Sequence, residues 1–260
     1  MDAFSCAACP RRCGALRKPA QPSGGFCGMP AGFVVARAAL HQWEEPCISG
    51  QHGSGTVFFS GCSLRCVYCQ NQQISLGRYG ALVTEENLLR MFDRLIEQGA
   101  HNLNLVNPTH YAPMLAKALK KYCSPVPVIY NSGGYERVEM LKALEGLVDI
   151  YLPDLKYVDS AVSLRYSGAA DYFDYASKAI LEMSRQVGKA TFDENGVMKK
   201  GLIVRHLILP RNTAQSIKAL TWIRENLPEE TLVSLMCQYT PCGKLENFPR
   251  ASAAAHAQGI

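Results

Sequence analysis

Short β-type runs alternate with helical patterns from Thr56 onward, and this alternation limits the possible folds more than any other feature of the sequence. The runs recur about every 31 residues, close to the roughly 30 residues that a βαβ unit needs. Such alternation predicts an α/β fold with a parallel sheet and right-handed crossovers. The predicted strands cover residues 56–60, 102–107, 126–131, 148–153, 202–209 and 231–239.

One helix between these strands carries a full set of helix signals. Its apolar residues repeat at three-and-four spacing from Leu88 to Ile96, Thr84 is placed as the N-cap, and Gly99 follows as the stop. Eight strand-helix units need about 250 residues, so six units predict a partial (β/α)6 TIM-like barrel. Further helices are predicted at 112–122, 135–146, 171–187 and 214–226.

Three cysteines follow the first strand on one short loop. Cys62, Cys66 and Cys69 stand at C-x3-C-x2-C spacing, directly after the turn signal Ser60-Gly61. Thiolates are ligands of iron-sulfur clusters, and three of them leave one iron of a cubane without a protein ligand. S-adenosylmethionine could chelate that iron through its amino and carboxylate groups. The alternatives are a zinc site, which normally needs four ligands, and buried thiols that act as small hydrophobes.

Four more cysteines lie near the N-terminus. Cys6, Cys9, Cys13 and Cys27 stand at C-x2-C-x3-C-x13-C spacing among several prolines and glycines. A segment this rich in turn formers needs a staple to stay ordered. Four thiolates fit either structural zinc or a second iron-sulfur cluster, and a cysteine-rich leader without metal is the alternative.

The sequence predicts three regions. Residues 1–55 form a Cys-rich N-terminal segment expected to bind metal, residues 56–241 form the core barrel, and residues 242–260 form a tail without an apolar stripe. Between residues 31 and 55 the sequence predicts coil or a short edge hairpin. Glu44 and Glu45 are expected to be exposed to solvent, and the alternative is that they face the mouth of the active site. The tail leaves the sixth strand without the helix that would be expected to cover it.

Composition excludes several classes of protein. Eleven cysteines could indicate a disulfide scaffold, but the N-terminus has no apolar signal region, so we expect a cytoplasmic protein with reduced thiols. No apolar run approaches the length of a membrane span. The formal net charge of +5 counts every thiol as neutral and does not indicate a nucleic-acid partner.

The stretch GCSLRCVYCQN resembles the signature loop of the radical S-adenosylmethionine (radical SAM) superfamily. Its surroundings, WEEPCISG, NPTHY and YLPDLK, resemble the pyruvate formate-lyase-activating-enzyme branch, most closely the PflX-type relatives. The resemblance implies an oxidoreductase in which Cys62, Cys66 and Cys69 hold a [4Fe-4S] cluster beside SAM. It also implies a flavodoxin- or ferredoxin-like electron donor and, as the substrate, a glycine of a partner protein. A small molecule or a peptide remains open as the substrate.

The same resemblance assigns cofactor-binding roles to residues at the strand ends, where parallel barrels place their working residues, and for Tyr68 it implies a contact through the backbone. No catalytic residue is assigned, and His206 is expected to be structural. Packing, helix capping or a structural ion pair would also explain these residue types. The assigned residues are Tyr68 and Asn71 after the first strand, Asn107 and Thr109 after the second in place of a Gly-Gly-Glu turn, Asn131 and Ser132 after the third, Asp154 and Lys156 after the fourth, and Arg205 in the fifth.

Two other functions fit the cysteine motifs alone. One is a non-catalytic module in which both cysteine groups hold zinc. The other is an electron-transfer protein whose iron-sulfur cluster has a full set of protein ligands.

Overall fold

The structure is a computed structural model and describes residues 2–77, 79–242, 245–248 and 251. The strands are β1 (Phe4–Ser5), β2 (Leu16–Arg17), β3 (Phe33–His41), β4 (Ser54–Phe59), β5 (Ala81–Val83), β6 (Leu103–Val106), β7 (Val128–Ser132), β8 (Ile150–Pro153), β9 (Thr191–Phe192), β10 (Met198–Leu207) and β11 (Leu232–Met236). The helices are α1 (Pro46–Ser49), α2 (Gln72–Ser75), α3 (Glu85–Glu97), α4 (Ala112–Lys121), α5 (Val138–Lys142), α6 (Ser160–Ser167), α7 (Tyr172–Val187) and α8 (Thr213–Asn226), with a 3₁₀ turn at Thr109–Tyr111.

The described residues form one nine-stranded sheet and a separate two-stranded hairpin, β1–β2. Along the sheet the strands run in the order β11-β10-β8-β7-β6-β4-β3-β5, with β9 paired to β10. The six predicted strands correspond to β4, β6, β7, β8, β10 and β11, and each pairs in parallel with its neighbours in this set. The predicted partial barrel is therefore confirmed.

Helix α3 begins as its sequence predicts. The Thr84 hydroxyl accepts a hydrogen bond from the backbone N–H of Asn87 at 3.2 Å, which satisfies one of the free amides of the first turn. Leu88, Phe92 and Leu95 bury one face of the helix in the core. The other predicted helices are also present, although α5 is shorter than residues 135–146.

The prediction of coil or a short hairpin for residues 31–55 is wrong. Strand β3 spans nine residues and pairs antiparallel with both β4 and β5, so the sheet begins before the predicted boundary at residue 56. The register between β3 and β4 shifts between Val35 and Arg37, which breaks the two-residue alternation that would mark a strand in the sequence.

Helix α1 contributes an apolar side chain to the inside of the barrel. Ile48 is fully buried and packs with Ile129, Ile150 and Ile203 from three parallel strands, and with Met198. Because β3 runs antiparallel to β4, the segment after β3 lies at the end of the barrel where β4 begins. This apolar cluster fills one end of the barrel and leaves the opposite end, at the carboxyl ends of the strands, open for a site.

Two further predictions concern membrane spans and the tail of the chain. Across the described ranges, no helix is both long enough and apolar enough to span a membrane. The predicted tail at 242–260 lies largely outside the described residues. Strand β11 is one edge of the sheet and exposes Val233 and Leu235.

Candidate functional site

A cavity of about 310 Å³ opens at the carboxyl ends of the parallel strands. This is the end at which barrels of this type carry their active sites. Its volume lies at the lower end of the range for small-molecule pockets. Residues from every parallel strand end contribute to its lining: Cys62, Cys66, Tyr68, Cys69 and Asn71 after β4, Asn107 after β6, Asn131, Ser132 and Gly133 at the end of β7, Asp154 and Lys156 after β8, Arg205 from β10, and Met236 and Gln238 at the end of β11.

All three loop cysteines line this cavity, and each sulfur accepts a hydrogen bond from a different side chain. The donors are Asn107 Nδ2 to Cys62 Sγ at 3.3 Å, Ser167 Oγ to Cys66 Sγ at 2.9 Å and Ser75 Oγ to Cys69 Sγ at 3.5 Å. Donors aimed at sulfur stabilise the thiolate form that binds metal and set the potential of an iron-sulfur cluster. The sequence motif identified the cysteines but not Ser75 or Ser167.

The donor set of this loop fits a cluster better than a single ion. Among the residues the structure describes, no three Cys, His, Asp or Glu side chains form a group that could hold one metal ion. A cubane binds each thiolate through a separate iron, so three separated sulfurs on one cavity wall suit it. Burial raises the pKa of Cys62 and raises the pKa of Cys66 to about 11.

A buried chain of hydrogen bonds holds Asn107 in position. Thr109 Oγ1 lies 2.7 Å from Asn107 Oδ1 and also contacts Glu136 Oε1. Tyr130 OH donates to Glu136 Oε2 at 3.1 Å. Thr109 is 1% exposed and does not line the cavity, so it supports Asn107 from behind instead of facing a ligand. Glu136 was missed in the sequence because it falls in the first turn of the helix predicted at 135–146, where a carboxylate is common.

Glu136 is completely buried, and burial raises its pKa to about 7 despite hydrogen bonds from Thr109, Ser132 and Tyr130. The geometry agrees with a protonated Glu136. Thr109 Oγ1 contacts an oxygen of Asn107 and an oxygen of Glu136, and its single hydroxyl proton cannot be donated to both. A protonated Glu136 donates to Thr109 Oγ1 and leaves the Thr109 proton for Asn107.

We expect Glu136 to contribute a component of the free energy of unfolding that falls as the pH rises from about 5.5 to 8, because Glu136 binds its proton more tightly in the folded chain. The contribution is fully present below the unfolded pKa of about 4.5 and is lost as the pH passes the folded pKa. Over this window it amounts to about 2 kcal/mol. Urea unfolding of Glu136→Gln should lack this component, whereas the exposed control Glu97→Gln should keep it. Equal pH slopes for wild type and Glu136→Gln would contradict the assignment.

Tyr68 lines the cavity, but its hydroxyl is engaged in a buried hydrogen bond. Its hydroxyl lies 2.6 Å from that of Tyr157, which in turn lies 2.7 Å from Ser167 Oγ. Ser167 is the donor to Cys66 Sγ, so this chain of hydroxyls ends at a cysteine sulfur. Only the other atoms of Tyr68 are left to contact a ligand, as the resemblance implies for its backbone.

Asp154, Lys156 and Arg205 form a network of charges on one wall of the cavity. Lys156 Nζ bonds Asp154 Oδ2, and Arg205 Nε donates to Asp154 Oδ1 at 2.9 Å. Burial alone would raise the pKa of Asp154, but the charges of Arg205 and Lys156 outweigh it and hold that pKa below its ordinary value. The carboxylate in turn raises the pKa of Lys156 and Arg205 against the effect of their burial. All three groups are therefore charged at neutral pH.

The prediction that Glu44 is solvent-exposed is wrong. Its side chain is 10% exposed and lies inside the barrel, 3.5 Å from Arg205 Nη1 and 3.5 Å from Asn131 Nδ2. Arg205 Nη2 also donates to Asn131 Oδ1 at 2.6 Å. Glu45 likewise has a buried oxygen, Oε2, with no hydrogen-bond partner among the described residues. The sequence could not show this, because the two ends of the Glu44–Arg205 contact are 161 residues apart.

The remaining predicted residues fall at the edge of the cavity or behind it. Asn71 is exposed at the rim, next to helix α2. Ser132 is buried, and its Oγ accepts a hydrogen bond from the Gly134 amide at 3.3 Å. Both nitrogens of His206 are bonded, one to Leu155 O at 2.6 Å and one to Ser216 Oγ at 2.9 Å, in agreement with a structural role.

Gly134 brings the turn after β7 against the backbone of Asp154. Its φ is +77°, and a Cβ at this position would overlap the Asp154 carbonyl oxygen. A backbone atom cannot rotate away as a side chain can. The turn therefore requires glycine for both its conformation and its close approach.

We expect Gly134→Ala to lower the free energy of unfolding by about 2–4 kcal/mol, since it combines left-handed strain with a backbone clash. Gly146→Ala is the matched control: its φ is +75°, but no atom lies within 4 Å of the added Cβ. That variant should lose only about 1 kcal/mol. Denaturant unfolding of both variants measures the difference, and equal losses would exclude the clash.

The start of the cluster loop is held by two residues that the sequence analysis did not single out. His110 is buried and its Nε2 lies 2.8 Å from Ser60 O, to which Tyr111 OH also donates at 3.3 Å. Burial lowers the pKa of His110 to about 3, so this histidine is neutral and its Nε2–H is the donor. The 3₁₀ turn thus fixes the last carbonyl before Gly61.

The four N-terminal cysteines lie in and beside the β1–β2 hairpin. Cys6 and Cys9 are buried in its loop, Cys13 is exposed, and Cys27 is buried on the following turn. They too are not arranged as a single-ion group within the described part of the chain. The second metal site therefore stays a prediction at this point.

Comparisons with known proteins agree with the geometry of the cavity. The family model described as Radical SAM superfamily matches residues 56–237. An uncharacterized protein of Methanocaldococcus jannaschii is 28% identical over 254 residues, which cover 94% of this chain and 69% of that protein. A Haemophilus influenzae protein described as "Putative glycyl-radical enzyme activating enzyme" is 21% identical, covering 82% of this chain and 79% of its own length.

Among solved structures, methylornithine synthase matches with a TM-score of 0.49 and 16% identity, covering 74% of this chain. Streptococcus suis SuiB bound to S-adenosylmethionine matches with a TM-score of 0.47 and 13% identity, covering 71% of this chain. The chain spans 56% of the length of the first structure and 40% of the second.

Proposed function

Because the chain belongs to the radical SAM superfamily, whose members use a [4Fe-4S] cluster and S-adenosylmethionine, we propose that it is an activating-enzyme-like oxidoreductase that cleaves SAM reductively. In this proposal the bound cluster supplies one electron to the sulfonium, which yields methionine and a 5′-deoxyadenosyl radical that abstracts a hydrogen atom from the substrate. The observation that carries the proposal is the placement of Cys62, Cys66 and Cys69 together in the lining of one cavity at the carboxyl ends of the parallel strands.

The residues of the chain have distinct roles in this proposal. Cys62, Cys66 and Cys69 hold the cluster, and the donors on Asn107 and Ser167 stabilise its thiolates. Lys156 bonds Asp154 and, within the described structure, no other side chain, so its ammonium keeps donors for a carboxylate of the cofactor. Arg205 uses each of its three guanidinium nitrogens in a bond to Asp154, Glu44 or Asn131 and acts as a positioning residue for that wall.

We infer that the substrate is a glycine in a partner protein. The support is the name of the Haemophilus influenzae relative, together with the sequence resemblance to activating enzymes. The chain lacks the histidine that those enzymes carry at the sixth strand, where Met236 and Gln238 line the cavity instead. We therefore expect a different partner from pyruvate formate-lyase itself. A flavodoxin- or ferredoxin-like protein is the proposed electron donor.

Anaerobic incubation of the reconstituted protein with SAM and dithionite tests the first part. We expect 5′-deoxyadenosine and methionine in equal amounts, whereas a zinc module or an electron carrier with a fully ligated cluster would produce neither. A candidate glycyl-radical enzyme labelled with [2,2-²H₂]glycine tests the second part. Deuterated 5′-deoxyadenosine and an EPR signal of a glycine-centred radical are expected, and unlabelled product with no such signal would exclude glycine as the substrate.

A further inference from the structure

Arg17 is a buried cation that has no matching anion. It is 1% exposed, its Nη2 donates to Cys27 Sγ at 3.3 Å, and its Nη1 has no hydrogen-bond partner in the described part of the chain. The rings of Phe4 and Tyr111 lie 5.9 and 5.8 Å from the guanidinium carbon. No carboxylate of the described residues forms an ion pair with it. A buried charge without a counter-charge is costly, so the fold implies an anion at this place.

The hydrogen-bond partner of Arg17 is a thiol, and three more cysteines lie in the same segment of the chain. Cys27 contacts it directly, and Cys6, Cys9 and Cys27 are only 4%, 7% and 7% exposed. The Cys13 sulfur lies beside Gly25, where an added Cβ would come within 3.1 Å of it. Neutral thiols cannot balance a guanidinium. Four thiolates around Zn²⁺, or around a [4Fe-4S]²⁺ core, carry a net charge of about −2.

We propose that Cys6, Cys9, Cys13 and Cys27 bind a tetrathiolate metal centre of net charge about −2, and that Arg17 is its buried counter-charge. Zinc and an iron-sulfur cluster share this ligand chemistry and this charge. The sulfurs close around the metal by rotating about their side-chain bonds, because metal sites of this kind complete their geometry on binding. The proposal does not rest on the SAM chemistry of the cavity.

The proposed centre is attached to the cluster loop through Phe26, the neighbour of Cys27. Arg11 and Arg65 place their guanidinium carbons 4.1 and 4.4 Å from the Phe26 ring, and Arg65 also donates to the Phe26 carbonyl. Arg11 Nε donates to Ser63 O at 2.8 Å. Ser63 and Arg65 lie between Cys62 and Cys66. Metal at the N-terminal site therefore holds the segment that clamps the loop of the first cluster.

A variant without the first cluster isolates the second site. The triple variant Cys62→Ala/Cys66→Ala/Cys69→Ala is reconstituted in one sample with Zn²⁺ and in another with iron and sulfide. We expect it to bind about one zinc or about four irons per chain. Adding Cys27→Ser should abolish this metal, and adding Cys123→Ser, an exposed cysteine, should not. A folded triple variant, checked by circular dichroism, that retains neither metal would overturn the proposal. If the triple variant fails to fold, the metal content of the reconstituted wild type gives the answer. Metal in excess of one [4Fe-4S] cluster per chain supports the N-terminal centre, and the absence of such an excess refutes it.

The role of Arg17 has its own test. We expect Arg17→Met to release the N-terminal metal to a chelator at least about tenfold faster than the parent triple variant, and Arg17→Lys to release it more slowly than Arg17→Met because the charge is kept. Release rates that are equal for all three proteins would overturn the assignment of Arg17 as the counter-charge. Loss of SAM cleavage in the wild type would not affect either result.

Discussion

Cys66→Ala is expected to reduce 5′-deoxyadenosine formation to the background of the assay. Cys66 is a proposed ligand of the cluster, is buried, and accepts a hydrogen bond from Ser167 at 2.9 Å. With two thiolates the cubane loses a second iron ligand, and it no longer has the three-thiolate attachment that leaves a single iron open. Iron content and product formation after anaerobic reconstitution measure the effect.

Cys123→Ser is the control for that experiment, because Cys123 is exposed and does not line the cavity. It should keep wild-type product formation and iron content. Cys62→Ala and Cys69→Ala should behave like Cys66→Ala, since all three sulfurs line the same wall. Turnover near the wild-type rate in any of the three variants would refute the assignment of that cysteine as a ligand.

Asp154→Asn is expected to lower the free energy of unfolding by about 3–5 kcal/mol, because it leaves Lys156 and Arg205 without the carboxylate between them. The carboxylate has a lowered pKa in the folded chain, so its stabilising contribution is present above the unfolded pKa. That contribution is lost as the pH falls through the folded pKa. SAM affinity should fall as well, since Lys156 then loses its partner on the cavity wall.

Two comparisons separate this network from an ordinary surface pair. Glu86→Gln breaks the exposed Glu86–Arg90 pair and should cost less than about 1 kcal/mol. The double variant Asp154→Asn/Lys156→Met should recover part of the stability that Asp154→Asn loses, because one of the unpaired charges is removed. Urea unfolding gives all three values. A loss below about 1 kcal/mol in Asp154→Asn would show that the network does not stabilise the fold.

The six parallel strands were predictable because the alternation of β-type runs and helices is a local property of the sequence. Helix α3 was predictable to its N-cap for the same reason. Strand β3 was not, because a bulge interrupts its alternation and its pairing with β4 is antiparallel, outside the repeating βαβ pattern. Local patterns therefore predicted the barrel but not the strand at its edge.

The site was predictable where a motif lies in one continuous stretch. Cys62, Cys66, Cys69, Asp154 and Lys156 line one cavity, and their roles in binding the cluster and SAM stay a prediction. Glu44 and Glu136 are different, since their burial depends on segments that fold back from elsewhere in the chain. From the sequence alone a charged residue outside an apolar pattern is predicted to be exposed to solvent, and only the three-dimensional contacts show that it is buried.

Mössbauer spectroscopy of the ⁵⁷Fe-reconstituted protein tests the central claim most directly, namely that three thiolates leave one iron of the cluster open for SAM. Replacing Cys6, Cys9, Cys13 and Cys27 by serine removes any contribution from the N-terminal site. On addition of SAM we expect about one quarter of the iron signal to change, as one iron of four gains the cofactor's amino and carboxylate ligands. A spectrum that does not change with SAM would contradict the account.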